Sequence, residues 1–214
     1  MHCEMSMNYK LVIFDFDGTL ADSFPWFLDV INVFADRYKF RHVEESEIET
    51  LRGYEAGELL KYLGVPLWRL PKIAKDMRAL MAEQVQQIPL FDGVALVLER
   101  LSQAGGTLAV VSSNASDIIR KVLGPENAAH IAYYECGVAA FGKSAKLRKV
   151  LGKSGALPDD AIYIGDEIRD LEAARQEHMA FGAVSWGYTR ADAFETRAPT
   201  MIFETVDQIV DKLI

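Results

Sequence analysis

The stretch from Lys10 to Leu20 reads KLVIFDFDGTL, and its apolar first half predicts a short buried strand. Asp15 and Asp17 follow that strand at once, with a single phenylalanine between them. Two carboxylates at the end of a buried strand repel each other and lose solvation, so they are tolerated most easily where a cation or a reacting substrate needs them. An ordinary strand-ending turn is the alternative interpretation, because Gly18 offers backbone freedom and Thr19 a hydroxyl at the same corner.

The composition predicts a globular protein. The 214 residues include 23 basic and 31 acidic side chains, which gives a formal net charge of −8, and 50% of the residues are hydrophobic. That hydrophobic fraction argues against disorder, and the length suffices for one core or for a core with a smaller insertion. The acidic balance, without a cluster of lysine and arginine, argues against nucleic-acid binding and against attachment to a membrane surface.

The cysteines and the apolar runs indicate the cellular compartment. Cys3 and Cys136 are far apart and lack the spacing of metal ligands, which argues against a disulfide framework and against a structural zinc site. Residues 1–8 contain Glu4 and no apolar core of a signal peptide, and no later apolar run approaches the roughly 18 residues of a membrane span. We therefore expect a cytoplasmic protein.

Residues 21–88 predict a block of helices without a strand. Pro25 stands in the first turn of a helix whose apolar residues recur at helical spacing as far as Tyr38. Further helices are predicted over 44–51, 56–63 and 67–87, separated by glycine and proline breaks. We expect this block to be inserted between the first strand and the rest of the sheet, with its aromatic and leucine-rich faces used for packing.

From residue 89 onward, helices and short apolar strands alternate. Strands are predicted over 107–111, 131–134, 161–164, 180–184 and, more weakly, 201–203, and helices over 94–104, 117–123, 144–151, 171–175 and 206–213. This alternation is typical of an α/β fold, a Rossmann-like parallel sheet with helices on both faces. The predicted domains are an α/β core formed by residues 1–20 and 89–214 and a small helical cap formed by residues 21–88.

Three of the predicted strands end at polar residues. Asp15 and Asp17 follow the first, Ser112 and Asn114 follow the second, and Asp166 follows a later one. Because the carboxyl ends of parallel strands lie at one edge of the sheet, these side chains are expected to converge on one pocket. Taken singly, each group has an ordinary interpretation, since serine and asparagine cap helices and acids favour a helix amino end. Their joint occurrence favours the pocket.

The order of these motifs resembles that of the haloacid dehalogenase-like hydrolase superfamily over nearly the whole chain. Asp15-Phe16-Asp17-Gly18-Thr19 looks like its first motif, and Ser112 is similar to the serine or threonine of the second. Lys143, in Phe141-Gly142-Lys143, resembles the lysine of the third motif, and Gly165-Asp166-Glu167-Ile168-Arg169-Asp170 resembles the acidic fourth. The helical block lies where the subgroup that includes phosphoglycolate phosphatase-like enzymes and β-phosphoglucomutase carries a mobile cap.

The resemblance implies the chemistry of phosphomonoester hydrolysis. Asp15 would attack phosphorus to give an aspartyl phosphate, and Asp17 would protonate the leaving alcohol and later accept a proton from water. Mg²⁺ would lie between Asp15, the main-chain carbonyl of Asp17 and Asp166, as suits a cation that prefers oxygen ligands. Lys143 would hold the phosphoryl oxygens and spread their charge. The remaining implied residues surround these: Ser112, Ser113 and Asn114 on the substrate side, and Thr19, Glu167 and Asp170 in support of the metal and the lysine.

The chain departs from the family pattern at two positions. Glu167 stands where a small hydroxyl residue is common, so this additional carboxylate either helps to hold metal or points outward. Ser144 follows the lysine of the third motif where proline is frequent. Arg52, at a break between predicted helices, is similar in placement to a substrate loop of capped relatives. It is expected either to reach an anionic or hydroxyl-rich group of the substrate or to be a solvated helix-end arginine.

The expected function is magnesium-dependent hydrolysis of a small phosphorylated metabolite, in the manner of phosphoglycolate phosphatase, by a monomer or homodimer. A phosphomutase is the first alternative, because the same aspartyl phosphate can pass its phosphoryl group to a second hydroxyl instead of water. Dehalogenation is less favoured, since that branch needs neither the second acid nor the metal. The intact acids oppose a third alternative, a non-catalytic binding or regulatory module on the same fold.

Overall fold

The computed structural model describes residues 7–137 and 142–214. Cys3 and Phe141, which the sequence analysis singled out, lie outside these ranges. Within them the chain forms a six-stranded parallel sheet in the order β3-β2-β1-β4-β5-β6. The strands are β1 (Leu11–Phe14), β2 (Thr107–Val111), β3 (Ile131–Glu135), β4 (Ala161–Gly165), β5 (Ala180–Val184) and β6 (Met201–Phe203). The predicted α/β fold with a parallel sheet is confirmed.

Strand β1 lies at the centre of the sheet. All four of its residues are fully buried, as expected for an apolar strand covered on both faces. Phe14 pairs with Val110 of β2 on one side and with Ile164 of β4 on the other. The carboxyl ends of these three strands are therefore at the same level of the sheet.

Residues between β1 and β2 form four α-helices before the core resumes. They are α1 (Phe24–Tyr38), α2 (Ile48–Leu51), α3 (Ala56–Tyr62) and α4 (Leu70–Glu83). The helix predicted over 67–87 is shorter than expected, because a 3-10 turn precedes α4 at Leu67–Arg69 and another follows it at Val85–Gln87. Trp26 and Ile73 are among the buried side chains that join these helices into one apolar cluster.

The chain enters this helical segment at Ala21 and leaves it near Leu90, and these two stretches run antiparallel and share hydrogen bonds. The amide of Asp22 donates to the carbonyl of Pro89 at 2.9 Å, and the amide of Phe91 donates to the carbonyl of Leu20 at 3.0 Å. We call residues 21–88 the insertion. The proposed division into a core and a cap domain follows these crossing points and stays a prediction.

Helices of the core cover both faces of the sheet. They are α5 (Val94–Gln103), α6 (Ser116–Ala129), α7 (Gly142–Ser154), α8 (Ile168–Gln176), α9 (Asp192–Glu195) and α10 (Gln208–Leu213). Helices α5, α6 and α10 pack with Val12 and Phe14 on one face, whereas α7 and α8 pack with Leu11 and Ile13 on the other. None of the helices in the described ranges is long and apolar enough to cross a membrane.

Candidate active site

The three predicted strand ends meet at one edge of the sheet. Asp15 follows β1, and its amide donates to the carbonyl of Ile164 in β4 at 2.8 Å. A cavity of about 210 Å³ opens above this edge, with Asp15, Asp17 and Asn114 in its floor and insertion residues in its roof. The structure thus brings the residues after β1 and those after β2 into one site, although they are about a hundred positions apart in sequence.

Lys143 pairs with two buried carboxylates. Its ammonium lies 2.6 Å from Asp15 Oδ2 and also donates to Asp170 Oδ1, and Tyr163 Oη donates to the same Asp170 oxygen at 3.1 Å. Burial raises the pKa of the Asp15 carboxyl to about 7, because lost hydration outweighs the attraction of the shared ammonium. Burial alone would lower the pKa of Lys143, but the two carboxylates outweigh it and raise that pKa above its ordinary value.

Asp17 has a different environment from Asp15. Its Oδ2 accepts a hydrogen bond from Asn114 Nδ2 at 3.4 Å, whereas its buried Oδ1 has no hydrogen-bond partner in the described ranges. Burial raises the pKa of this carboxyl above its ordinary value. A carboxyl with a raised pKa and an open oxygen beside a cavity is suited to exchanging a proton with a bound molecule.

Asp166 is the first residue after β4. It is fully buried, and its two oxygens accept hydrogen bonds from Thr19 Oγ1 at 3.0 Å and from the amide of Tyr188 at 2.8 Å. Gly18 packs directly over it, since a Cβ on this left-handed glycine would lie 2.3 Å from Asp166 Oδ2. Burial and the neighbouring acids raise the pKa of Asp166 well above its ordinary value.

Three carboxylates form the acidic cluster nearest to a metal-binding geometry in the described part of the chain. Oxygens of Asp15, Glu167 and Asp170 all lie within 4.8 Å of one another. Glu167 and Asp170 are held in place at the start of α8, where the amide of Glu167 donates to Asp170 Oδ2 at 3.2 Å. These hard oxygen donors fit a magnesium ion. Glu167, the departure from the family pattern, therefore faces this acidic cluster.

The residues after β2 form a tight turn at the cavity edge. Ser112 is buried and its hydroxyl accepts a hydrogen bond from the amide of Asn114 at 3.0 Å, while the exposed Ser113 lines the cavity. The Asn114 amide group also contacts Met81 Sδ of α4 at 2.7 Å. The turn thus places Ser112, Ser113 and Asn114 together, as the sequence predicted, and touches the insertion.

Arg52 lies outside this cavity. Its guanidinium donates to the main-chain carbonyls of Gly187 at 2.7 Å and Tyr188 at 3.2 Å, and it pairs with Glu49 at 2.9 Å. Arg52 lines a neighbouring, more apolar cavity of about 260 Å³ between α1, α2 and the loop after β5. A substrate-binding role for Arg52 stays a prediction, and these contacts favour a structural one.

Two residues of the site were missed by the sequence analysis. Lys146 is a buried lysine that donates to the carbonyls of Ser112 and Gly137, and burial lowers its pKa. Tyr188 follows β5, contacts Asp166 through its amide and places its hydroxyl 3.1 Å from Ser23 Oγ. The available signals were a lysine one helical turn after Lys143 and a polar loop after a fourth strand of the same sheet.

Comparisons with known proteins show the family of this chain. The model of the family described as haloacid dehalogenase-like hydrolase matches residues 12–184. A phosphoglycolate phosphatase of Synechococcus elongatus is 27% identical over 202 residues, which cover 94% of this chain and 95% of that protein. The tyrosine-protein kinase PtkA of Mycobacterium tuberculosis is 28% identical over 215 residues, which cover 95% of this chain and 72% of that protein.

A solved structure shows the same fold. A haloacid dehalogenase-like family hydrolase of Streptococcus pneumoniae superposes with a TM-score of 0.80 at 18% identity, covering 96% of this chain and 98% of that one. The matched family region runs from β1 to the end of β5 and includes the strand ends that carry Asp15, Ser112 and Asp166. This chain therefore belongs to the haloacid dehalogenase-like hydrolase family.

Proposed function

We propose that this hydrolase is a magnesium-dependent phosphatase that cleaves a small phosphomonoester through an aspartyl phosphate on Asp15. The observation that carries the proposal is the position of Asp15, which lines the cavity while the buried ammonium of Lys143 contacts its Oδ2. The resemblance to phosphoglycolate phosphatase over 94% of the chain supports the substrate class, a short phosphorylated organic acid.

In the first half of the reaction, a carboxylate oxygen of Asp15 attacks phosphorus in line with the ester oxygen. The bond from phosphorus to the ester oxygen breaks as the new bond to Asp15 forms. Asp17, with its raised pKa and open Oδ1, supplies the proton that the departing alkoxide needs. The product of this half-reaction is the free alcohol and a phosphorylated Asp15.

In the second half, water attacks the phosphorus of the aspartyl phosphate. Asp17 is now ionised and accepts the proton of that water, and the bond from phosphorus to Asp15 breaks to release inorganic phosphate. One residue thus acts first as an acid and then as a base, which requires a pKa that permits both forms. Burial of Asp17 moves its pKa in the required direction.

Charge on the phosphoryl oxygens is balanced by groups around the floor of the cavity. Lys143 contacts Asp15, and Ser113 and Asn114 of the turn after β2 line the same cavity. Carboxylates of Asp15, Glu167 and Asp170 would hold Mg²⁺, with Asp166 and the Asp17 carbonyl as the further ligands that the family resemblance implies. When bound, the ion would neutralise charge on the phosphoryl group and on the clustered acids.

The test is phosphate release from a panel of esters by wild type, Asp15→Asn and the control Asp29→Asn. Asp29 is an exposed acid of α1, so its substitution is matched in chemistry but remote from the cavity. The panel contains 2-phosphoglycolate, sugar phosphates and nucleotides, each with magnesium and with a chelator. We expect metal-dependent turnover that Asp15→Asn abolishes and Asp29→Asn retains. Absence of turnover on every ester, or full activity of Asp15→Asn, would remove the proposal.

The same assay separates hydrolysis from phosphoryl transfer. A phosphatase releases one inorganic phosphate for each ester consumed, whereas a mutase yields an isomeric ester and little inorganic phosphate. Both depend on Asp15, so the products rather than the rate decide between them.

A further inference from the structure

The cavity above Asp15 is small, and its two sides differ in polarity. Its volume of about 210 Å³ is below the roughly 300–1,000 Å³ of pockets for drug-sized ligands. The floor is acidic, whereas the roof formed by the insertion is mostly apolar and includes Trp26, Met77 and Met81. Arg78 of α4 is the cation that this roof contributes.

Arg78 differs from the other cations near the cavity in lacking a counter-charge. Lys143 is paired with Asp15 and Asp170, and Arg169 is paired with Glu167. Arg78 forms no ion pair with any acid in residues 7–137 and 142–214, although it is half-buried. Asp76, the acid of α4 nearest to Arg78 in sequence, is paired with Lys72 instead.

An anion that enters the cavity would compensate the hydration that a half-buried guanidinium in an apolar wall has lost. Removal from water costs hydration that Met77 and Met81 cannot replace, because they offer no anionic oxygen. A carboxylate or phosphate matches the planar fork of arginine and forms charge-assisted hydrogen bonds with it. The acids in the floor do not fill this role, since none of them forms an ion pair with Arg78 in the described ranges, and Asp15 and Glu167 are paired with Lys143 and Arg169.

Arg52, the arginine that the sequence analysis favoured for this task, is already engaged. Its donors are directed at the carbonyls of Gly187 and Tyr188 and at Glu49, and it lines the neighbouring cavity. The insertion residue that faces Asp15 and Asp17 with an uncompensated charge is Arg78 instead.

We propose that Arg78 binds a second anionic group on the leaving alcohol. The substrate class is therefore a short phosphomonoester with an anion at each end, one being the scissile phosphate and the other a carboxylate or a second phosphate. This inference rests on the proposed phosphatase activity. It makes Arg78 the residue that selects the leaving group, while Asp15 and Asp17 carry the chemistry.

The experiment measures kcat/KM for four esters of similar size. They are 2-phosphoglycolate, ethylene glycol bisphosphate, the neutral analogue ethyl phosphate and the cationic analogue ethanolamine phosphate. The variants are Arg78→Met, Arg78→Lys and Arg78→Glu, and the control is Lys75→Met, an exposed lysine of α4 that does not line the cavity. The comparison of 2-phosphoglycolate with the bisphosphate shows which anion the cavity prefers.

We expect the preference of wild type for an anionic ester over ethyl phosphate to fall about 10- to 100-fold in Arg78→Met, the loss typical of a charge-assisted hydrogen bond. Arg78→Lys should keep part of the preference, and Arg78→Glu should shift it toward ethanolamine phosphate. A ratio in Arg78→Met within about twofold of wild type would overturn the inference. Failure of the proposed function would look different, because wild type would then hydrolyse none of the four esters.

Discussion

Lys143 determines the charge balance of the candidate site at the scale of single residues. One ammonium lies between Asp15 and Asp170, and the side chains of all three are at most one-tenth exposed. A buried carboxylate without a counter-charge is costly, so the two acids depend on this lysine. The same contact partly neutralises the negative charge of Asp15 and fixes the orientation of its carboxylate.

Replacement of Lys143 by methionine should therefore destabilise the protein. We expect Lys143→Met to lower the free energy of unfolding by about 3–5 kcal/mol, the range seen when one partner of a buried ion pair is removed. Adding Asp170→Asn should recover part of that loss, because one of the two uncompensated charges is then absent. Urea unfolding followed by circular dichroism measures both variants.

Lys10→Met serves as the control for this prediction. Lys10 pairs with Asp160 at 3.1 Å, but its side chain is 77% exposed, so its removal should cost less than about 1 kcal/mol. If Lys143→Met were as mild as Lys10→Met, water or another cation would have to reach Asp15, and the buried pairing would be wrong.

Cys136 offers a test of burial through its titration. Burial raises the pKa of its thiol to about 11, against an ordinary value near 8.5. Only the thiolate is alkylated, so in a Cys3→Ser background Cys136 should react with iodoacetamide at pH 8 at least tenfold more slowly than in urea. Because the raised pKa favours the neutral thiol, the folded rate should rise about tenfold per pH unit from pH 8 to 10. A native rate equal to the rate in urea would contradict the burial of this thiol.

At the scale of elements, the strand ends were predictable because the signals are local. Runs such as Leu11–Phe14 are apolar enough to be buried, and the acids after them stand in the adjacent positions of the chain. Parallel pairing then brings Asp15 and Asp166 to one edge without any knowledge of side-chain contacts. The predicted strands, including the weaker strand at Met201–Phe203, are confirmed for the same reason.

The contacts between elements were not predictable in the same way. Tyr188 contacts Asp166 from a loop that carries no strand or helix periodicity. Lys146 of α7 is buried because the folded chain packs it against the carbonyl of Ser112, which is far away in sequence. Arg52 and Arg78 are both arginines in a helical block, and nothing in their local sequence tells which one faces the cavity. Which arginine lines the cavity depends on how the helices of the insertion pack on the core, and the local sequence does not encode that packing.

The loop after β5 is a good place to test the packing of elements. A Cβ added at Gly187 would lie 2.1 Å from the Cβ of Asp166, so the loop and the end of β4 could not both keep their positions. We expect Gly187→Ala to destabilise the protein by about 1–3 kcal/mol, the usual cost of overpacking. Differential scanning fluorimetry and urea unfolding measure the change.

Gly57→Ala is the matched control for Gly187→Ala. Gly57 lies in α3, and a Cβ there would meet no atom of the described residues within 4 Å. Alanine is favoured over glycine in a helix, so this variant should gain about 0.5–1 kcal/mol. Equal effects of the two substitutions would mean that the loop yields easily and does not fix Asp166.

For the whole molecule, the central question is how the insertion is held over the core. The two backbone connections, which are hydrogen-bonded at Asp22 and Pro89, join the insertion covalently to the core. Elsewhere, the rings of Phe24 and Phe27 pack edge-on against Tyr188, and Arg52 donates to the loop that carries Tyr188. A segment joined covalently to the core at its two ends, and by non-covalent contacts elsewhere, can open and close as a lid.

Arg52→Met should loosen this closure without changing which ester is preferred. We expect faster hydrogen exchange in α2 and in the loop at 185–190 and a higher KM for every ester, since hydrogen bonds to Gly187 and Tyr188 are lost while the cavity lining is unchanged. Arg41→Met is the control, because Arg41 pairs with Glu47 inside the insertion at 2.6 Å and does not reach the core. A selective loss of activity toward anionic esters in Arg52→Met would instead assign substrate binding to Arg52, as the family resemblance implies. The two arginines therefore separate closure from selectivity, because Arg52 should change KM for all esters and Arg78 should change the ratio between them.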